Sequence, residues 1–81
     1  MDLASFFRAC ARRLPDKTAL IFEGTHFTYR EMDKRSDDIA SFLARRITAG
    51  ETVGVAMRRS PEWIAVVLGI WKAGGIYVHW I

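Results

Sequence analysis

The sequence is poor in the residues that build small stapled or irregular folds. It has one cysteine, Cys10, so an internal disulfide framework is excluded and a reducing compartment is expected. Only 2 Pro and 6 Gly occur in 81 residues, which excludes collagen-like and low-complexity chains. Charge of one sign is scarce too. The 12 Lys and Arg against 9 Asp and Glu leave a net +3. The basic residues fall in separate pairs, Arg12-Arg13, Arg45-Arg46 and Arg58-Arg59, rather than in one stripe, so nucleic acid is not the expected partner. Met1-Asp2 opens acidic, with no basic region ahead of an apolar run, so no secretory signal is visible and a cytoplasmic location is expected.

An uninterrupted membrane-length run is also missing. Trp63 to Ile81 comes nearest, but Lys72 sits near its middle and Gly74-Gly75 follow. A lysine at the centre of a bilayer helix costs about 2.5–3.5 kcal/mol, so two short buried elements fit better than a transmembrane span. Apolar residues make up 51% of the chain, including 3 Trp, 2 Tyr and 5 Phe, which excludes disorder.

Leu3, Phe6, Phe7, Cys10 and Leu14 recur at helical spacing behind Asp2, a good N-cap, and Pro15-Asp16 stops the helix. Ala19 to Phe22 and His26 to Thr28 flank Glu23-Gly24-Thr25, a hairpin signal. Thr28 and Glu31 form a capping box. Behind it Met32, Ser36, Ile39, Leu43 and Ile47 mark an apolar helix face, widened by Ala40 and Phe42. Arg30, Asp33, Lys34, Asp37 and Arg45 mark the solvent face, and Glu31 and Arg35 are spaced to pair. Thr52 to Met57 is apolar on both faces, as in an interior parallel strand. Ser60-Pro61-Glu62 opens a helix over 61–73 that is apolar almost all round, Gly74-Gly75 end it, and 76–81 is a further strand. The predicted class is therefore α/β: an N-terminal helix, a β-hairpin, a helix, then βαβ with parallel strands. These elements are too few to cover both sheet faces, so an incomplete domain, 1–81 of something larger, or a self-associating chain is expected.

Chemistry-bearing groupings are few. His26, His79 and Cys10 fall on three separate elements without metal-ligand spacing. Ser60 reads as a cap, Asp37-Asp38 as solvated neighbours, and Gly74-Gly75 as a helix end rather than a phosphate loop, which precedes a helix. Trp63 and Trp71 read as core. Arg58-Arg59 follow a parallel strand, where open α/β sheets bind ligands, though a solvated loop is the simpler reading. No catalytic, cofactor-binding or metal residue is assigned.

Three stretches carry a resemblance. Phe27-Thr28-Tyr29-Arg30-Glu31-Met32, Gly50-Glu51-Thr52-Val53-Gly54-Val55, and Arg59-Ser60-Pro61-Glu62-Trp63 running into Lys72-Ala73-Gly74-Gly75-Ile76-Tyr77-Val78 resemble, in order and spacing, core motifs of the adenylate-forming enzymes. Those enzymes include acyl-CoA synthetases, luciferases and the adenylation domains of nonribosomal peptide synthetases, and the wording here leans toward the last. The resemblance implies an ATP- and Mg²⁺-dependent ligase. It would activate a fatty, aryl or amino acid as an acyl-adenylate and pass it to coenzyme A or a phosphopantetheine thiol. In the family the phosphate loop, the ribose-binding Asp and the catalytic Lys lie downstream of these motifs. The fragment by itself is therefore expected to be inactive, with the remainder of the domain or a second copy as its partner. At its end the sequence departs from the family: His79-Trp80-Ile81 stand where the family has proline and a short apolar–acidic pair. A frameshift, an alternative ending or divergence would each produce that. The alternative to a ligase fragment is a small noncatalytic α/β protein acting through a protein or membrane-surface interface.

Overall fold

A computed structural model describes residues 2–80. Its elements run α1 (Leu3–Arg13), β1 (Thr18–Phe22), β2 (Thr25–Thr28), α2 (Tyr29–Ala44), β3 (Thr52–Val55), α3 (Pro61–Lys72) and β4 (Ile76–His79). The expected α/β order is present. The predicted strand at 76–81 ends at His79, and Ile81 lies outside the described residues.

The helix starts follow from local chemistry. Asp2 Oδ1 accepts the Ser5 N–H at 2.7 Å. Leu14 leaves helical geometry because it precedes Pro15, whose ring disfavours α backbone at the residue before it. At α2 the capping box closes in both directions, Glu31 N–H to Thr28 Oγ1 at 3.2 Å and Thr28 N–H to Glu31 Oε1 at 2.9 Å. At α3 Ser60 Oγ accepts the Trp63 N–H at 3.1 Å, and Pro61 occupies the first turn, where its missing donor costs nothing. The α3 C-terminus closes as a Schellman motif. Gly75 N–H donates to Ile70 O at 2.9 Å and Gly74 N–H to Trp71 O at 3.0 Å, with Gly74 at φ 82°.

β1 and β2 pair antiparallel through a two-residue turn, with both Glu23 (φ 49°) and Gly24 (φ 80°) left-handed, the geometry that matches strand twist. Thr25 therefore belongs to β2 rather than to the turn. β3 and β4 pair parallel in the register Thr52↔Ile76 to Val55↔His79 and form a separate two-stranded sheet. β3 stops at Val55, not at Met57: the described parallel register ends at Val55↔His79, and the Trp80 N–H closes it on Val55 O at 2.9 Å.

α3 is the centre of the molecule. It packs most extensively on α2 and also touches α1 and β4, so it is buried on more than one side. Pro61, Ala65, Val67, Leu68, Gly69 and Ile70 are buried on it, opposite Met32 and Ser36 of α2. Gly69 is where the two helices close up: a Cβ there would lie 2.5 Å from Ile39 Cγ2 and 3.1 Å from Ser36 O.

Four expectations need correction. On α1 the inward face is Ala4 and Ala11, buried, with the half-buried Phe7 and Arg8 between them, whereas Leu3, Phe6 and Leu14 are exposed. Arg8 sits on that face because it pairs across to α2, which rotates the apolar pattern out of register. Phe42 is 56% exposed rather than core, and the guanidinium of Arg46 covers its ring at 3.6 Å. Trp71 is 36% exposed, unlike the buried Ile70 beside it. Arg35 does not pair with Glu31, which is engaged in the capping box. It reaches Glu62 on α3 at 3.3 Å and lies over the Phe27 ring at 5.4 Å.

Candidate functional site

Two groupings of polar side chains stand out, at opposite ends of α3. The first is Lys72, whose side chain is 4% exposed. Its ammonium donates to Asp33 Oδ1 at 2.6 Å, Ser36 Oγ at 2.7 Å and Asp37 Oδ1 at 2.9 Å, with Asp33 O at 3.3 Å. Asp37 also receives Arg8 of α1 at 2.6 Å. Ser36 Oγ in turn donates to Met32 O at 2.8 Å. The face of Phe7 lies 6.0 Å from Nζ. One buried cation thus joins all three helices.

Sequence reasoning missed this cluster. Asp33 and Asp37 had been placed on a solvent face, and Asp37-Asp38 read as a solvated pair. Only Asp38 fits that reading, since its partner is the exposed Lys34 at 3.2 Å. A signal was present: Lys72 is the only basic residue of α3 and follows nine uncharged residues, and Asp33 and Asp37 are one helical turn apart. Chemically the cluster is closed. An ammonium has three N–H bonds, and three acceptors within 2.9 Å occupy them. Neither Lys72 nor Ser36 is poised as a nucleophile.

The second grouping lies at the carboxyl ends of β3 and β4. The Trp63 indole N–H donates to the Tyr77 hydroxyl at 3.0 Å, and that hydroxyl shares a hydrogen bond with His79 Nδ1 at 3.0 Å. The Arg59 guanidinium lies 6.0 Å from the centre of the Trp63 ring. Arg58 and Arg59 are exposed in the β3–α3 connection. This is the edge at which open parallel sheets present ligands. The start of α3 is nonetheless a poor phosphate cradle. Pro61 brings no N–H, Ser60 occupies that of Trp63, and Glu62 places a carboxylate in the first turn.

The remaining candidates stay apart. Cys10 is half-buried on α1. His26 Nδ1 shares a 3.1 Å hydrogen bond with Thr18 Oγ1 across the hairpin. Among the described residues no group of three or more His, Cys, Asp or Glu could hold a metal. No helix among them is long and apolar enough to cross a membrane.

What this chain resembles is unambiguous once its elements are in place. It is 43% identical over 77 residues to bacitracin synthase 3 of Bacillus licheniformis, which covers 94% of this chain and 1% of that protein. Tyrocidine synthase 2 of Brevibacillus parabrevis is 40% identical over 73 residues, 89% of this chain and 2% of that one. Among solved structures, the nonribosomal peptide synthetase FmoA3 superposes with a TM-score of 0.93 at 37% identity, over 99% of this chain and 9% of that chain. The N-terminal subdomain of Klebsiella oxytoca NpsA, in complex with anthranilyl-AMSN, gives 0.88 at 30%, over 96% and 20%. The chain thus spans a small part of each protein it matches. Residues 7–80, nearly the whole sequence, match the AMP-binding enzyme family, and the chain belongs to that family.

Proposed function

We propose that this chain is the first packing unit, 1–81, of an adenylation domain of the nonribosomal peptide synthetase type. In this reading the whole domain activates a carboxylic acid with ATP and Mg²⁺ as an acyl-adenylate and hands the acyl group to a carrier or coenzyme A thiol in the cytoplasm. The observation that supports it best is the FmoA3 superposition, which takes in 99% of this chain at a TM-score of 0.93. That synthetase has also been solved with AMPPNP bound.

The residues here do not fit ATP or Mg²⁺ by themselves. The α3 N-terminus is filled by Ser60 and shielded by Glu62, and the carboxylates of Asp33 and the half-exposed Asp37 are neutralised by Lys72. No chemical step is therefore assigned to this chain. Its role is to hold β3, α3 and β4 in place as a rigid wall for residues supplied by the rest of the domain.

A domain graft tests this. Residues 2–80 replace the equivalent segment of NpsA, and acid-dependent exchange of labelled pyrophosphate into ATP is measured. The chimera is expected to fold and retain exchange. A chimera that is folded by circular dichroism yet exchanges nothing overturns the reading.

A further inference from the structure

Three rings meet where α3 begins, and their hydrogen bonds run in one direction. An indole N–H can only donate, so the Tyr77 hydroxyl oxygen accepts the Trp63 N–H at 3.0 Å. The same hydroxyl meets His79 Nδ1 at 3.0 Å. One assignment gives every group of the series a partner. The Tyr77 O–H donates to His79 Nδ1, and the imidazole is neutral with its proton on Nε2. The rings pack in the same order. Trp63 stands edge-on to Tyr77, 6.2 Å between centroids and 77° between planes, and Tyr77 lies 6.5 Å from the imidazole.

The series spans two elements. Trp63 lies in the first turn of α3, whereas Tyr77 and His79 lie on β4. The far end of α3 is joined to β4 through the turn at Gly74-Gly75, so the three rings tie the opposite end. A proton on Nδ1 reverses the last bond. The imidazolium donates where the neutral ring accepted, the Tyr77 oxygen then meets donors from both partners, and the Tyr77 O–H loses its acceptor. Charge acts in the same sense. Arg58 and Arg59 stand in the β3–α3 connection, with the Arg59 guanidinium 6.0 Å from the centre of the Trp63 ring. Glu62 in the first turn of α3 is engaged by Arg35 at 3.3 Å. On β3 the residue paired with His79 is the uncharged Val55. A cation at His79 thus joins two arginines at this end of the sheet, and like charges disfavour one another.

We propose that Trp63, Tyr77 and His79 form a pH-sensitive latch between α3 and β4, closed while His79 Nδ1 accepts and loosened once it is protonated. Histidine is the side chain whose charge ordinarily changes between about pH 5 and 8. His79 stands where the sequence departs from the adenylate-forming pattern, and a proline there would offer Tyr77 no acceptor nitrogen. The latch needs nothing outside residues 60–80 and is independent of the adenylation reading. His26 makes the contrast. Its Nδ1 meets the Thr18 hydroxyl at 3.1 Å, and a hydroxyl of that kind turns to suit either state of the ring.

Heteronuclear NMR of the 81-residue chain between about pH 8 and pH 5 tests it, reading the histidine ring nitrogens together with the tryptophan indole N–H groups. At the alkaline end His79 is expected to carry its proton on Nε2. On acidification the Trp63 indole resonance should shift with the same midpoint as the His79 ring, while that of Trp71, at the other end of α3, should not follow. Tyr77→Phe should abolish the Trp63 response although His79 still titrates. His79→Gln, which accepts without titrating, should abolish it with the far-UV circular dichroism unchanged, and it decides the matter if Tyr77→Phe fails to fold. A proton on Nδ1 at the alkaline end overturns the proposal. So does a Trp63 indole that ignores the His79 titration, or a response that survives either substitution.

Discussion

Lys72 directs its ammonium into α2 and, through Asp37, meets Arg8 of α1. Removing one partner of a buried ion pair costs about 3–5 kcal/mol when the other is left uncompensated. Here Asp37 is half-exposed and keeps Arg8, so Lys72→Ala is expected to cost about 2–3 kcal/mol. Arg8→Ala breaks only a partly solvated pair and should cost under about 1 kcal/mol. Urea melts of the two variants check the order, and an equal effect would mean that Lys72 is not the pin. The same comparison applies to the neighbours Ile70 and Trp71. Ile70 is fully buried, so Ile70→Ala should cost about 3–4 kcal/mol. Trp71 keeps over a third of its surface in water, so Trp71→Ala should fall below that. The cap at Ser60 is worth about 1 kcal/mol, and Ser60→Ala should rank below both.

At the scale of the elements, two features set α2 and α3. The Thr28 N–H holds the Glu31 carboxylate and draws its pKa below the ordinary 4.5, with the Thr28 hydroxyl and, least, the Arg35 charge adding to this. A folded-state value below the unfolded one means stabilisation that is complete above pH 4.5 and fades as pH falls through the folded value. Glu31→Gln should therefore lower the neutral part of a stability–pH curve toward its acid value, flattening the acid limb, and leave stability at low pH little changed. An unaltered acid limb in thermal melts would remove the capping box from the account. The second feature is the close approach at Gly69. Alanine is the better helix former by about 1 kcal/mol, yet its Cβ would collide with Ile39 and the Ser36 carbonyl. Overpacking of this kind costs about 1–3 kcal/mol, so Gly69→Ala is expected to be net destabilising. A stabilised Gly69→Ala variant would show that the α2–α3 spacing is looser than described. These element limits were largely legible beforehand: Asp2, Thr28 with Glu31, Ser60-Pro61 and Gly74 are local signals whose partners lie within a few residues. The buried faces were less so. The α1 inward face runs through a charged residue, Arg8, and no hydrophobic periodicity marks a charge that turns inward to a partner on another helix.

For the molecule as a whole, the prediction concerns activity. The isolated 81-residue chain should catalyse no acid-dependent pyrophosphate exchange into ATP, because α3 begins with proline, a filled cap and a carboxylate rather than free amides. Exchange above that of a heat-killed sample would overturn this. The NpsA graft tests whether this wall supports chemistry placed elsewhere, and the isolated chain tests whether it performs any. The candidate site was legible only in part. Arg58-Arg59 after β3 could be placed from the strand–helix order, but the Trp63–Tyr77–His79 series joins residues 14 and 2 positions apart, and only the packing of α3 against β4 brings Trp63 to the other two.

The amino-acid order by itself determined the element types, the caps, the parallel βαβ unit and the family, because each rests on neighbours in sequence or on motifs in a fixed order. Tertiary structure decided which charges are buried. Asp33 and Asp37 look like solvent-facing carboxylates until α3 brings Lys72 against them from 39 and 35 positions away. It also decided which apolar residues stay outside. Leu3, Phe6, Phe42 and Trp80 belong to the hydrophobic pattern, but α3 packs against α1, α2 and β4, and these four side chains lie outside that packing.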